Sequence, residues 1–153
     1  GGARTTFPQL VARAPWTVLV FVSAECPCVS AHLSRLRALA EEYRARGVQF
    51  VAVDSEVGTN AETAARQARD YVFPLVVDVG AQLAEQLGAE YAGYAVVVDS
   101  KGGVQYRGGV DSDRLEMHDD AKPYLRNALD DVLAHRAVRT PEAKTLGCVL
   151  RRW

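Results

Sequence analysis

The hydrophobic and polar positions of the chain fall into two alternating kinds of segment. Continuous apolar runs rich in β-branched residues are typical of strands that are buried on both faces of a sheet. Apolar residues spaced three and four apart between these runs are typical of helices. The predicted strands are residues 16–23, 48–54, 75–78, 95–99 and 104–107, and the predicted helices are residues 27–46, 61–70, 81–87 and 123–135. The predicted order is therefore β-α-β-α-β-α-β-β-α.

Turn and capping residues support these limits. Pro27 suits the first position of a helix, Asn60 suits an N-cap, and Gly88 suits a helix C-terminus. Turn residues at 100–103 join the last two strands as an antiparallel hairpin. Right-handed β-α-β crossovers followed by a hairpin predict an α/β, thioredoxin-like fold, with helices on both faces of a central mixed sheet. We expect one domain over residues 1–153, in which residues 137–153 form an extended C-terminal tail.

Composition narrows the class of protein. Of the 153 residues, 48% are hydrophobic and 24% are charged, which excludes a disordered chain. The 18 basic and 19 acidic residues are so nearly balanced that we expect no nucleic-acid partner. The longest apolar run, residues 18–22, is too short to cross a bilayer, so we expect no membrane insertion. The chain starts at Gly1 without Met, and we expect any secretory leader to lie outside it.

Three cysteines are too few for a disulfide scaffold, so they indicate a reactive thiol or a metal site. Cys26 lies between a buried strand and Pro27, which predicts the N-cap position of the first long helix. There, unpaired backbone N–H groups and the helix dipole stabilise a thiolate. The neighbouring carboxylate of Glu25 opposes this effect, because a nearby negative charge raises a thiol pKa. We therefore expect a moderately activated nucleophile.

Two residues are candidate partners for this thiol. Cys28 lies two positions further on, so the common C-x-x-C pair is absent and Val29 holds the position of its second cysteine. A bridge between Cys26 and Cys28 would close a tight, strained and easily reduced ring. Cys148 lies in a tail that can fold back over the helix N-terminus. Its bridge to Cys26 would close a loop of about 120 residues and stabilise the fold by up to about 5 kcal/mol.

Several motifs together resemble the redoxin (AhpC/TSA-like) proteins of the thioredoxin superfamily, over nearly the whole chain. They are Val20-Phe21-Val22 before Cys26-Pro27-x-Val29, the segment 47–53, the hairpin end 106–111, and the tail Thr145-x-Gly147-Cys148-x-Leu150. The resemblance implies that Cys26 is the nucleophile and that Cys148 is the tail cysteine and a resolving thiol. Cys28 departs from the family pattern, which has an aromatic residue there.

A second departure concerns the loop before the fourth strand. In the thioredoxin superfamily a cis-proline there faces the reactive cysteine, but Gly93 takes its place in this chain. Glycine does not favour the cis peptide as proline does, and loss of the ring opens space beside the thiols. We expect this loop and the start of the helix to bind substrate through Pro27, Tyr91, Ala92 and Gly93.

The favoured function is that of an enzyme, a thiol–disulfide oxidoreductase. Cys26 attacks a disulfide, and Cys148 or Cys28 resolves the mixed disulfide. The partners are then a protein or small-molecule disulfide substrate and a thiol reductant, with no cofactor. We expect a monomer or weak dimer. A thiol pair that cycles through a disulfide favours the periplasm or the cell exterior, with the cytoplasm as the alternative.

Two alternatives remain. In a thiol peroxidase, an antioxidant activity, Cys26 would form a sulfenic acid that another cysteine captures. Ser23 matches the hydroxyl position of the peroxiredoxin signature, but Leu19 replaces its proline and no arginine occurs in residues 91–98. In a metal-binding module, soft thiolates and an imidazole would hold copper(I) or zinc. The ligands proposed for that site are Cys26, Cys28, His32 and Cys148.

Overall fold

A computed structural model describes residues 4–151 and contains a five-stranded mixed sheet. The strands are β1 (Trp16–Val22), β2 (Val48–Asp54), β3 (Leu75–Val77), β4 (Tyr94–Asp99) and β5 (Val104–Gly109). Their spatial order is β3-β2-β1-β4-β5. Strands β1, β2 and β3 are parallel, whereas β4 is antiparallel to both β1 and β5. The predicted crossovers and the C-terminal hairpin are therefore both confirmed.

Helices flank both faces of the sheet. They are α1 (Phe7–Val11), α2 (Pro27–Arg44), α3 (Ala61–Ala68), α4 (Gln82–Leu87) and α5 (Tyr124–Leu133). Helices α2 and α5 lie beside one another. The hydroxyl of Tyr43 in α2 donates a hydrogen bond to Asp130 in α5 at 2.5 Å. None of the helices among residues 4–151 is long and apolar enough to cross a bilayer.

Most element limits lie within one or two residues of the predicted ones, and three differences are structurally informative. Helix α1 was not predicted, although Thr6 and Gln9 form a capping box at its start. A short 3-10 turn over Val79–Ala81 precedes α4, because Gly80 and Ala81 have positive φ angles of 76° and 54°. Strand β5 continues to Gly109, beyond its predicted end. A β-carbon at Gly108 would collide with the backbone of Ala143, so this glycine permits close approach of the tail.

Strand β1 forms the centre of the core and carries the chain to the candidate site. Every side chain from Thr17 to Val22 is fully buried. Burying an aliphatic side chain of this size stabilises the fold by about 1.5–3 kcal/mol, so β1 is a rigid support for whatever follows it. Cys26 and Cys28 come directly after its carboxyl end and belong to the same buried cluster.

The C-terminal tail runs back along the edge of β5. The backbone N–H of Arg107 donates to Pro141, and Ala143 donates to the carbonyl of Arg107, at 3.0 and 3.2 Å. From there the chain reaches the loop before β4, where Tyr91 and Val149 form an antiparallel bridge. The described part of the tail is thus extended, as predicted, and it brings Cys148 beside the start of α2.

Candidate active site

Cys26 is the N-cap of helix α2, as predicted. Its backbone is extended, with φ −86° and ψ 112°, and its N–H donates to the carbonyl of Ser23 at 3.2 Å. Pro27 follows as the first helical residue and is exposed, whereas Cys26 is only 1% exposed. The sulfur of Cys26 therefore lies where the free N–H groups of the first helical turn converge.

The fold brings all three cysteines together. Their sulfur atoms lie within 4.8 Å of one another, although Cys148 is 120 residues from Cys28 along the chain. Cys28 is 2% exposed and Cys148 is half-buried. All three thiols are free. The tail therefore folds back over the helix N-terminus, and it delivers a thiol to within a short movement of Cys26.

Hydrogen bonds set the pKa of Cys26 below its ordinary value. Burial alone would raise this pKa, but the thiol of Cys148 and the backbone N–H groups of Val29, Cys148 and Cys28 donate to the sulfur and outweigh burial. Glu25, expected to oppose ionisation, lies elsewhere: its exposed carboxylate is 3.6 Å from the guanidinium of Arg151. Cys26 is thus the thiol most readily ionised of the three.

The other two thiols are held in the protonated form. Burial raises the pKa of Cys28, and the negative charge and hydrogen bonding of Cys26 raise it further. The pKa of Cys148 is raised to about 12, chiefly because its S–H donates to Cys26, with burial and the charge on Cys26 adding to the effect. The cluster therefore consists of one thiolate-prone sulfur between two thiols.

The tail occupies the loop that was predicted to bind substrate. The N–H of Ala92 donates to the carbonyl of Cys148 at 2.8 Å, and the N–H of Leu150 donates to Glu90 at 2.9 Å. The approach is so close that a β-carbon at Gly147 would collide with the carbonyl oxygen of Ala92. The backbone of the predicted docking loop is therefore already hydrogen-bonded to the extended tail, which carries a cysteine.

Gly93 adopts a conformation that suits glycine. Its φ is +93°, and its N–H donates to the carbonyl of Phe21 at 2.7 Å. Apart from Gly93 itself and its two chain neighbours, no heavy atom of the described residues lies within 4 Å of the position that a β-carbon would take. A cavity of about 20 Å³ lies between Gly93, Cys28 and His32, enough for about one water molecule. Space is thus present beside the thiols, as expected from the missing proline ring.

A carboxylate fastens the end of the tail. Glu56 accepts hydrogen bonds from the hydroxyl of Ser23 and from the backbone N–H of Arg151, the latter at 2.7 Å. The Arg151 guanidinium lies 3.4 Å from the same carboxylate. These donors outweigh burial and lower the pKa of Glu56. Ser23, the candidate peroxidase hydroxyl, therefore serves to hold this carboxylate.

His32 lies outside the sulfur cluster, which corrects the predicted four-ligand set. Its Nδ1 is 2.7 Å from the carbonyl of Cys28, and its Nε2 is 2.8 Å from the carboxylate of Asp111. Both partners are acceptors, so both nitrogens donate and neither is available to a metal. Burial opposes a charged ring, but the hydrogen bonds to Asp111 and Cys28 outweigh it and raise the pKa of His32. Arg35 also binds Asp111, at 2.7 Å.

Sequence reasoning did not identify Glu56 or Asp111. The fold pairs Glu56 with Arg151, which is 95 residues away along the chain. It pairs Asp111 with His32, which is 79 residues away. The only signal for Asp111 was its place at the end of the hairpin motif, and Glu56 carried none.

Comparison with known proteins establishes the family. The model of the AhpC/TSA family matches residues 2–107, which is more than half of the chain. The chain belongs to the AhpC/TSA family. The resemblance found in the sequence is thereby confirmed for this redoxin. A comparison with curated proteins gives no significant match.

Solved structures confirm the thioredoxin-like fold. An uncharacterised conserved protein from Geobacillus kaustophilus is 26% identical with a TM-score of 0.81, over 93% of this chain and 79% of that one. A hypothetical protein from Sinorhizobium meliloti 1021 is 24% identical with a TM-score of 0.82, over 94% and 83%. A protein named as a thiol:disulfide interchange protein, DsbE, from Chlorobium tepidum is 18% identical with a TM-score of 0.61, over 80% and 82%.

Proposed function

We propose that this redoxin is a thiol–disulfide oxidoreductase in which Cys26 is the nucleophile and Cys148 the resolving thiol. The observation that carries the proposal is the position of Cys148, whose sulfur lies within 4.8 Å of the sulfur of Cys26. The substrate is a protein or small-molecule disulfide, and a thiol reductant completes the cycle. The thiol:disulfide interchange protein among its structural neighbours supports this class of reaction.

In the first step the thiolate of Cys26 attacks one sulfur of the substrate disulfide. A bond forms between Cys26 and that sulfur while the substrate S–S bond breaks, and the departing thiolate takes up a proton. The lowered pKa of Cys26 makes its thiolate more available than that of an ordinary cysteine. Because Cys26 is buried beneath the tail, we expect the tail to shift when substrate enters.

The second step uses the thiol of Cys148, whose pKa falls when Cys26 reacts with the substrate. The pKa of Cys148 is high because Cys26 accepts its hydrogen bond and carries negative charge. Both causes disappear once Cys26 is in a mixed disulfide, so the pKa of Cys148 falls, although burial still raises it, and more of this thiol ionises. That thiolate attacks the sulfur of Cys26 and expels the second substrate thiolate, which is protonated. The substrate has gained two electrons, and Cys26 and Cys148 have lost them to form a disulfide.

Cys148 is the better resolving thiol for a geometric reason. Cys28 is fixed in the first turn of α2, so a bridge to Cys26 would close a ring of very few residues and store strain. Cys148 lies on an extended segment whose movement is not restrained by a helix. Because such a cycling pair suits an oxidising compartment, we place the activity in the periplasm or at the cell exterior.

The test is to trap the mixed disulfide. A peptide disulfide is mixed with the reduced protein, and the products are separated by mass spectrometry. We expect Cys148→Ser to accumulate the adduct on Cys26, because the resolving thiol is absent, and Cys26→Ser to form no adduct. Cys28→Ser is the matched comparison, since it removes a sulfur of the same cluster, and it should release the product.

Two results would contradict the proposal. If Cys26→Ser retained full disulfide reductase activity, Cys26 would not be the nucleophile. If the adduct accumulated in Cys28→Ser and not in Cys148→Ser, the roles of the two partners would be reversed. Circular dichroism of each variant distinguishes loss of a thiol from loss of the fold.

A further inference from the structure

The three sulfur atoms form a cluster that thiol exchange does not fully use, since exchange needs two of them. They lie within 4.8 Å of one another, and no other group of three His, Cys, Asp or Glu side chains within residues 4–151 is placed to hold a metal ion. Cys26 and Cys28 are nearly completely buried, and Cys148 covers them from the tail. A buried, sulfur-only donor set of this kind suits a soft metal ion.

The spacing fits a trigonal site. Metal–thiolate bonds of about 2.3 Å in a planar three-coordinate site place the sulfur atoms about 4.0 Å apart. The observed limit of 4.8 Å means that the cluster must contract by under an ångström. Cys148 can supply this movement because it is half-buried and lies on an extended segment.

The number of ligands selects the ion. Soft thiolates favour copper(I) and zinc, but structural zinc sites are almost always tetrahedral and take four ligands. Both nitrogens of His32 are engaged by Cys28 and Asp111, so the nearest imidazole cannot be the fourth. We propose that the reduced protein binds one copper(I) ion through the sulfur atoms of Cys26, Cys28 and Cys148.

The surroundings offset the charge of such a site. Binding forms copper–sulfur bonds and releases the protons of the thiols, with no change in the oxidation state of copper or sulfur. The backbone N–H groups of Val29, Cys28 and Cys148 lie close enough to the Cys26 sulfur to favour its thiolate form. The partial positive charge at the start of α2 adds to their effect. The negative thiolates therefore face hydrogen-bond donors on the helix side.

Copper binding and disulfide formation exclude one another. A disulfide between Cys26 and Cys148 consumes two of the three ligands, so oxidation of the pair releases the ion. Release of the ion on oxidation rests on the proposed function, whereas binding of copper(I) to the reduced protein does not. The two proposals can therefore fail separately.

The test is an anaerobic titration of fully reduced protein with copper(I) buffered by bicinchoninate, a chromophoric chelator. We expect one equivalent of copper(I) to move to the wild-type protein. Loss of an outer-shell partner alone costs about 10–100-fold in metal affinity, so each single Cys→Ser variant should bind at least about 100-fold more weakly. X-ray absorption should show three sulfur scatterers at about 2.3 Å and no nitrogen.

Two control variants test whether the loss of copper binding is specific to the three cysteines. Ser30→Ala changes an exposed residue in the same turn of α2 and should bind as the wild type does. His32→Asn removes the imidazole and should retain the copper, whereas a site that used His32 would lose it. Circular dichroism confirms that each variant is folded.

Three outcomes would overturn the proposal. They are no transfer of copper(I) to reduced wild-type protein, unchanged affinity in Cys28→Ser, and a nitrogen ligand in the absorption spectrum. Zinc that displaced copper(I) at equal concentration would overturn the choice of ion. The titration involves no turnover, so these outcomes do not depend on disulfide exchange. Protein oxidised with diamide should bind no copper, and failure of that arm alone would contradict the Cys26–Cys148 bridge.

Discussion

At the scale of single residues, the ionisation of Cys26 depends on a donor from the other end of the chain. Burial works against the thiolate, and the Cys148 thiol is the first of the hydrogen-bond donors that outweigh it. We therefore expect Cys148→Ala to raise the pKa of Cys26, since alanine cannot donate. Below the pKa the thiol is protonated and unreactive, so alkylation by iodoacetamide at a fixed pH near 7 should be slower in the variant.

The measurement is the rate of Cys26 alkylation from pH 5 to 10, followed on the Cys26 peptide by mass spectrometry. In the wild type the midpoint should lie below the value of about 8.5 for a free cysteine, and in Cys148→Ala it should move to higher pH. Ser30→Ala should leave the midpoint in place. An identical midpoint in wild type and Cys148→Ala would show that the backbone donors alone set the pKa.

At the scale of elements, backbone hydrogen bonds between the extended C-terminal tail and the loop before β4 hold Cys148 in place. Gly147 permits this pairing, because a β-carbon there would collide with the carbonyl oxygen of Ala92. We expect Gly147→Ala to push the tail away and to slow resolution of the mixed disulfide. A misplacement of about 1 Å can cost about 100-fold in a reaction that depends on proximity, which sets the expected size of the effect.

Single-turnover mixing of the reduced protein with a peptide disulfide measures this step as the release of the second thiol. Gly80→Ala is the control for general destabilisation: its β-carbon would meet nothing closer than 3.9 Å, but its φ of +76° strains alanine, and Gly80 lies outside the tail pairing. Both substitutions replace glycine by alanine, so a common slowing would point to general destabilisation. Resolution at the wild-type rate in Gly147→Ala would mean that the strand pairing does not position Cys148.

The elements also show which parts of the fold could be predicted from the sequence. Strand β1 and helix α2 were predictable because an apolar run, Pro27 and helical spacing are local signals, and they place Cys26 correctly. Helix α1 was missed because its five residues provide too little periodicity, although Thr6 and Gln9 mark its start. The pairing of His32 with Asp111 spans 79 residues, so no local pattern could reveal that this ring is already engaged.

The C-terminal tail shows the same limit of prediction from local sequence patterns. Its extended form and its return over the start of the helix were both expected. Its partner is the loop 90–92, and Tyr91 and Ala92 of this loop were predicted to bind substrate, because no local signal indicates that the chain itself pairs there. Long-range pairing of two irregular segments is set by the completed fold, and only the structure reveals it.

At the scale of the whole molecule, the proposed disulfide should change global stability by an amount that identifies it. The chain-entropy relation gives about 5 kcal/mol for the loop of about 120 residues closed by Cys26 and Cys148, but only about 1.6 kcal/mol for the tight ring closed by Cys26 and Cys28. The sulfur atoms must also approach from their present separation, so strain will reduce the larger figure. We expect the oxidised wild type to unfold at a distinctly higher urea concentration than the reduced protein.

Equilibrium unfolding in urea, with and without a thiol reductant, measures the difference. Cys28→Ser should keep the full increase on oxidation, because the long loop is still closed. Cys148→Ser should lose most of it, because only the tight ring can form. An increase that survived in Cys148→Ser and vanished in Cys28→Ser would assign the bridge to Cys26 and Cys28. Such a result would leave the tail as a cover over the site and not as a source of the resolving thiol.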